Sequence, residues 1–118
     1  MTSAARPLPP WLTVSTAVLD GRACRTRAAF FEEVARALRL PDYFGRNWDA
    51  LTDSLRDVGA AAVVVLHAGE LLDAEPPEQL ATLLAVLGDA ARDGLRVTLC
   101  TGPDEEDPLR DRLAGSGL

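Results

Sequence analysis

The chain has little of the chemistry that most catalytic and metal sites require. Among its 118 residues there are two cysteines and one histidine. Cys24 and Cys100 are too few for a disulfide scaffold, and their spacing matches no metal motif. His67 has no serine or cysteine near it in sequence that it could activate as a nucleophile, and the glycines form no phosphate-binding loop. These absences predict a protein that is not an enzyme, holds no cofactor and no metal, and keeps its thiols reduced.

The sequence also leads us to expect no membrane-spanning or targeting segment. No apolar stretch approaches the roughly 20 residues that cross a bilayer. The segment 1–10 has Arg6 as its only base, and no apolar region follows it. We therefore expect a soluble protein that stays in the cytoplasm.

Positive charge is in deficit. Lysine and arginine together number 12 against 18 aspartates and glutamates, which leaves a net charge of −6. Direct binding to nucleic acid through its phosphates requires basic patches, so this balance argues against it. The acidity fits a basic protein partner, or it serves solubility alone.

Aromatic residues make up only 5% of the chain, so alanine, leucine and valine must build the core of its single domain. Hydrophobic periodicity predicts strands at 14–20, 61–66 and 95–100 and helices that begin near Arg27, Trp48 and Pro77. Thr26 is the expected cap of the first helix, and Pro41 its expected stop. Three consecutive valines at 63–65 favour a central strand that is covered on both faces or at least deeply buried. The order of elements predicts an α/β fold with a small three-stranded parallel sheet and helices packed on it.

The predicted domain covers residues 13–102. Residues 1–12, which contain several prolines, are interpreted as a flexible N-terminal arm. Residues 103–118 begin with an acidic run and are interpreted as a mobile C-terminal tail.

Residues 40–57 hold the only tyrosine of the chain and a row of aspartates. Asn47 is the expected cap of the second helix, whose apolar stripe is Leu51, Leu55 and Val58. Asp49, Asp53 and Asp57 recur every fourth residue and point away from that stripe at 3.6 residues per turn. The sequence therefore predicts an outward-facing row of carboxylates.

Spacing alone leaves several interpretations of this row. The aspartates form a solvated face, or they bind a partner, or they hold a hard cation, although calcium sites draw their ligands from loops. A hydrolase that uses the carboxylates is the weakest alternative, because no cleft is evident. Asp49 and Asp53 lie about 6 Å apart along a helix, which is comparable to the spacing of neighbouring phosphates in a nucleic acid strand. Such a row would suit a basic, phosphate-binding cleft.

One ungapped motif stands out in this stretch: Leu40-Pro41-Asp42-Tyr43-Phe44-Gly45-Arg46-Asn47-Trp48-Asp49-Ala50-Leu51, with Asp53 and Leu55 after it. This motif, together with the order of elements from Val14 to Thr101, resembles the barstar family, the intracellular inhibitors of secreted ribonucleases of the barnase type. The resemblance implies a three-stranded parallel sheet and a stoichiometric inhibitor. The inhibitor would bind a basic ribonuclease one to one and plug its active site with the second helix and the loop before it.

Carried over by position, the resemblance also implies the residues of the binding surface. Asp53 would be the main anion in the enzyme's phosphate site, and Asp49 would meet basic residues at its rim. Asp89 on the third helix would add an acidic contact. The implied surface consists of Tyr43, Gly45, Asn47, Trp48, Asp49, Thr52, Asp53 and Asp89.

Two departures from the family pattern concern the partner. Thr52 stands where the family often has a tryptophan, and Val58 replaces an aromatic residue. The alternative is therefore an immunity or adaptor protein of the same fold that binds a different basic partner, not a ribonuclease.

Overall fold

A computed structural model of the chain describes residues 11, 16–58 and 61–117. Its strands are β1 (Thr16–Asp20), β2 (Ala62–Leu66) and β3 (Arg96–Leu99). Its helices are α1 (Arg27–Ala37), α2 (Trp48–Val58), α3 (Pro77–Arg92) and α4 (Glu106–Gly115). Short 3-10 segments lie at Gly21–Ala23, Ala68–Glu70 and Pro103–Glu105. No helix among the described residues is long and apolar enough to cross a membrane.

The three strands form one parallel sheet in the order β1-β2-β3. Val64 of β2 lies in register with Val18 of β1 and with Thr98 of β3. Parallel neighbours require crossover connections, and helices supply them between β1 and β2 and between β2 and β3. This arrangement confirms the predicted α/β class and the three-stranded parallel sheet.

The core lies on one face of the sheet. Buried strand residues from this face meet buried leucines and phenylalanines from α1, α2 and α3; they include Ala17, Leu19, Val63, Val65, Phe31, Leu51, Leu55 and Leu83. β2 is the central strand, as expected, but the expectation that it is covered on both faces is wrong. Burial alternates along β2, and Leu66 is 40% exposed beside the 46% exposed Val18 of β1. The alternation follows from packing α1, α2 and α3 on the same side, so that odd-numbered residues of β2 face the core.

The end of α1 also differs from its prediction, because Pro41 is not what stops the helix. The helix ends at Ala37, and Arg39 takes a left-handed conformation with φ 53°. Leu40 N–H donates to the Ala35 carbonyl at 2.9 Å, and Arg39 N–H donates to the Arg36 carbonyl at 3.3 Å. These bonds form a Schellman motif, which usually has glycine at the left-handed position.

The third helix ends in the same motif with the usual residue. Gly94 has φ 107°, and Leu95 N–H donates to the Ala90 carbonyl at 3.2 Å. Gly94 is thus the helix terminator that its position after the apolar stripe suggests. Gly59, which follows α2, lies outside the described residues.

The segment after β3 differs from the expected mobile tail. It forms α4, and Leu109 of that helix is 6% exposed. The guanidinium of Arg112 donates to the carbonyls of Gly69 (3.1 Å) and Leu71 (2.9 Å). A buried leucine and an arginine bound to the backbone therefore attach the acidic segment to the domain. The N-terminal arm lies outside the described residues, apart from Trp11, which is 81% exposed.

A side-chain pair on α1 covers the outer edge of β1. Glu33 accepts the Asp20 N–H at 3.0 Å, and Arg36 donates to the Val18 carbonyl at 3.3 Å. The two side chains also pair with each other, with Arg36 Nε 2.8 Å from Glu33 Oε1. Unpaired strand edges invite association with other chains. The Glu33–Arg36 pair instead binds the Asp20 N–H and the Val18 carbonyl, so these edge groups are not left free for another chain.

Two glycines test the backbone geometry in opposite directions. A Cβ on Gly21 would lie 2.1 Å from the His67 carbonyl oxygen, whereas a Cβ on Gly88 in α3 would meet nothing within 4 Å. Gly21→Ala should therefore lower the free energy of unfolding by about 2 kcal/mol or more, because backbone must move. Gly88→Ala should raise it by about 1 kcal/mol through helix propensity. Urea denaturation measures both changes. An unchanged free energy of unfolding in Gly21→Ala would contradict the close approach of Gly21 to the His67 carbonyl.

Candidate partner-binding surface

The second helix presents the row of carboxylates to solvent. Leu51 and Leu55 are 1% and 3% exposed and fix the inner face of α2 against the core. The three aspartates of the row, Asp49, Asp53 and Asp57, are exposed. Arg56 makes an ion pair with Asp53, with Nη1 3.6 Å from Oδ1, and both side chains are largely in solvent. The outward orientation of the row is confirmed.

The loop before α2 is held by one buried ring and one arginine. Phe44 is 6% exposed and meets Phe31 edge to face at 6.2 Å between ring centroids. Arg46 has φ 50°, pairs with Glu32 of α1 and donates to the Phe44 carbonyl at 3.0 Å. Through this pairing the Arg46 guanidinium lowers the pKa of Glu32. The loop is therefore attached to α1 at both Phe44 and Arg46, while Tyr43 stays 88% exposed.

Asn47 uses its side chain within the surface. Its Oδ1 accepts the Ala50 N–H at 2.8 Å, and its Nδ2 donates to the Gly45 carbonyl at 3.1 Å. The first interaction is the predicted N-cap of α2. The second fixes the loop relative to the helix. A Cβ on Gly45 would lie 3.1 Å from Asn47 Nδ2, so this approach leaves little room for a side chain.

Trp48 is half-buried, in contrast to Tyr43. Its ring lies 4.9 Å from that of Phe31 and 5.8 Å from that of Phe30, and Nε1 donates to Gln79 Oε1 at 3.3 Å. The side chain thus links α1, the start of α2 and α3. It supports the surface from beneath as much as it contributes to it.

Thr52 and Asp89 share a shallow depression between α2 and α3. The Thr52 hydroxyl donates to the Trp48 carbonyl at 2.9 Å, one helical turn back. Asp89 is exposed and lies 3.3 Å from Arg92 in an ion pair on the same helix. The structure therefore brings Asp89 next to α2, but in a setting that contains arginines as well as carboxylates.

A groove lies between the loop and α2, and residues of both line it. Tyr43 and Gly45 line it from the loop, and Asp53 and Asp57 line it from the helix. The surface implied by the sequence does not include Asp57, because the position of this residue relative to the loop depends on where α1 ends. The only signal for it in the sequence was its spacing of four residues from Asp53.

The remaining reactive side chains do not form a second site. Cys24 is fully buried, and burial raises the pKa of its thiol to about 12. Cys24 and Cys100 are both free thiols. Among the described residues, no group of three or more histidine, cysteine, aspartate or glutamate side chains is placed to hold a metal ion. The surface of α2 and its loop is thus the best candidate for function.

Comparison with known proteins gives one family match. A family model described as barstar (barnase inhibitor) matches residues 14–108, which is most of the chain. The match begins two residues before β1 and ends within α4. A comparison with curated proteins gives no match.

The two roles of Asn47 can be separated by substitution. Asn47→Ala removes both hydrogen bonds and should lower the free energy of unfolding by about 1 to 2 kcal/mol. Asn47→Asp keeps the cap of α2 but loses the donor to Gly45, so it should lower the free energy of unfolding by less than Asn47→Ala does. Urea denaturation measures the difference. Equal losses for the two variants would show that the cap contributes nothing.

Arg46 should control the titration of Glu32. Pairing lowers the pKa of Glu32, so the ion pair is fully present above its ordinary pKa of 4.5 and is lost as the pH falls through the lower value of the folded state. Arg46→Gln should raise the pKa of Glu32 toward 4.5. Titration of the side-chain carboxyl by NMR measures this change.

Arg36→Gln is the matched control for Arg46→Gln. It breaks the pair with Glu33, whose pKa Arg36 lowers. The pKa of Glu33 should rise in this variant and that of Glu32 should stay unchanged. A Glu32 titration that is the same with and without Arg46 would contradict the loop geometry described above.

Proposed function

Because the chain belongs to the barstar family, we propose that it is a stoichiometric protein inhibitor of a bacterial ribonuclease. In this proposal α2 and the loop before it enter the active site of the enzyme and bind there one to one. The chain acts in the cytoplasm, where it protects its own cell from a ribonuclease destined for export. It performs no catalysis itself and needs no cofactor.

The observation that carries the proposal is the pair of exposed carboxylates at Asp49 and Asp53 on a helix whose other face is buried. Four residues of α-helix separate them by about 6 Å along the axis. A ribonuclease binds the phosphates of its substrate with cationic side chains, and carboxylates at this spacing can occupy the same positions. A net charge of −6 would also speed the encounter with a basic enzyme.

The residues of the surface take different roles in this proposal. Asp53 is the main anion, and Asp49 supports it from the first turn of α2. Tyr43 supplies an exposed aromatic contact, because 88% of its surface is free. Asn47 and Trp48 mainly hold the loop and helix in place, since their polar atoms already have partners within the chain.

A second candidate function follows from the surroundings of Asp53. Thr52 is small, and Arg56 and Arg92 add positive charge near the carboxylates on α2 and α3. A surface of mixed charge fits an immunity or adaptor protein of the same fold whose partner is basic but is not a ribonuclease. Capture of the partner from the native host, followed by its identification, distinguishes the two functions.

Titration into a guanyl-specific bacterial ribonuclease of the barnase type tests the proposal. An equimolar amount of the protein should abolish cleavage of RNA. Asp53→Ala should raise Kd by about 30- to 1,000-fold, because it leaves desolvated cations of the enzyme unpaired.

Asp111→Ala is the matched control for Asp53→Ala. It removes the same charge from an exposed position on α4, a helix that contributes no residue to the proposed surface. The Kd of this variant for the ribonuclease should stay within about twofold of that of the unsubstituted protein. An Asp53→Ala effect below about fivefold would place the main contact elsewhere. Failure of the protein to inhibit at equimolar concentration would reject the proposal.

A further inference from the structure

The groove between the loop and α2 has two chemically different parts. Its apolar lining includes Leu40, Phe44 and Ala50. Asp53 and Asp57 line it from α2, and the exposed Tyr43 lines it from the loop. A side chain lying in this groove would therefore find both apolar surface and carboxylates within it.

This combination selects the chemistry of the occupant. A carboxylate side chain would be repelled, because two aspartates in the lining face only one arginine, Arg39. An apolar side chain would leave the two carboxylates without a partner. An arginine satisfies both parts, because its stem is apolar and its guanidinium bonds carboxylates and stacks on aromatic rings.

Asp53 and Asp57 line this groove, whereas Asp49 of the same row does not. Asp57 lies one turn beyond Asp53, so the two carboxylates are about 6 Å apart along the axis. A planar guanidinium with five N–H donors can bond both at once. Asp53 is already shared with Arg56 at 3.6 Å, whereas no ion pair of Asp57 occurs among the described residues. The carboxylate of Asp57 is thus the one left available for an incoming cation.

We propose that this groove is a subsite for an arginine side chain of the partner, and that Asp57 is a further specificity-determining residue. The inference rests on the proposed function, because the groove shares Asp53 and Tyr43 with the inhibitory surface. The subsite adds a contact between Asp57 and the partner, which the implied binding surface does not include. The partner must present an arginine beside the cations that receive Asp53.

Binding of N-acetyl-L-arginine methylamide, followed by NMR, tests the subsite without any ribonuclease. The ring signals of Tyr43 and the methyl signal of Ala50 should shift in a saturable way at millimolar concentrations. N-acetyl-L-citrulline methylamide has nearly the same shape without the charge, and it should leave these signals in place. Equal shifts with both compounds, or none with the arginine compound, would overturn the proposal.

Substitution assigns the effect to Asp57. Asp57→Asn should weaken binding of the arginine compound at least threefold, whereas Asp111→Asn on α4 should leave it unchanged. Asp57 is exposed, so its substitution should not disturb the core. An Asp57→Asn variant that binds the arginine compound as tightly as the original protein would also overturn the proposal.

The same variants separate this inference from the proposed function. Where a barnase-type ribonuclease is inhibited, Asp57→Asn should raise its Kd by about five- to 20-fold. If inhibition is intact and Asp57→Asn has no effect on it, the subsite fails and the proposed function stands. If the arginine compound binds in the groove but no ribonuclease is inhibited, the proposed function fails and the subsite stands on its own measurement.

Discussion

The packing of Phe31 is the interaction on which the rest of the surface depends. Its side chain is 2% exposed and lies within 6.2 Å of three other aromatic rings, those of Phe30, Phe44 and Trp48. These rings come from α1, from the loop and from the first turn of α2. Edge-to-face aromatic pairs add to the free energy of burial. A chain with few aromatics thus concentrates most of them where three segments must keep a fixed relation, and leaves Tyr43 outside.

The consequence of this packing is a preorganised loop. Arg46 has φ 50°, a conformation that costs a residue with a side chain about 1 to 2 kcal/mol. The ion pair with Glu32 and the bond to the Phe44 carbonyl offset that cost. Asn47 then joins the loop to the helix through Gly45 and Ala50. Groups already ordered lose less entropy on binding, so a partner would gain more from each contact.

The sequence predicted what short-range periodicity controls. The start of α2, its Asn47 cap and its outward aspartates follow from residues within two turns of one another, and the structure confirms them. The end of α1 at Ala37 could not be predicted, because nothing in the sequence marks Arg39 for the left-handed conformation that follows the helix. The helix α4 was missed because its charge masked Leu109, whose burial depends on the rest of the fold. The groove beside Asp57 required both the loop path and the helix. Most of the fold was therefore accessible, but the shape of the site was not.

The charge pattern of α2 is best understood by comparison with α4. Both helices are exposed along one side, but α4 places Arg110 one turn after Glu106, with their charged atoms 2.8 Å apart. Such a pair stabilises a helix by a few tenths of a kcal/mol. Along α2 the aspartates follow one another at the same spacing, which costs a similar amount per pair. Asp57 is also near the negative end of the helix dipole.

On α2 one such pair occurs, between Asp53 and Arg56, whereas no ion pair of Asp49 or Asp57 is found among the described residues. The burial of Leu51 and Leu55 and the cap by Asn47 stabilise α2 despite the repulsion between its aspartates. Cations from a partner would turn each repulsion into an attraction, so the energy lost in the free protein returns on binding. Under the proposed function, the arrangement that weakens the isolated helix would therefore strengthen the binding of a basic partner.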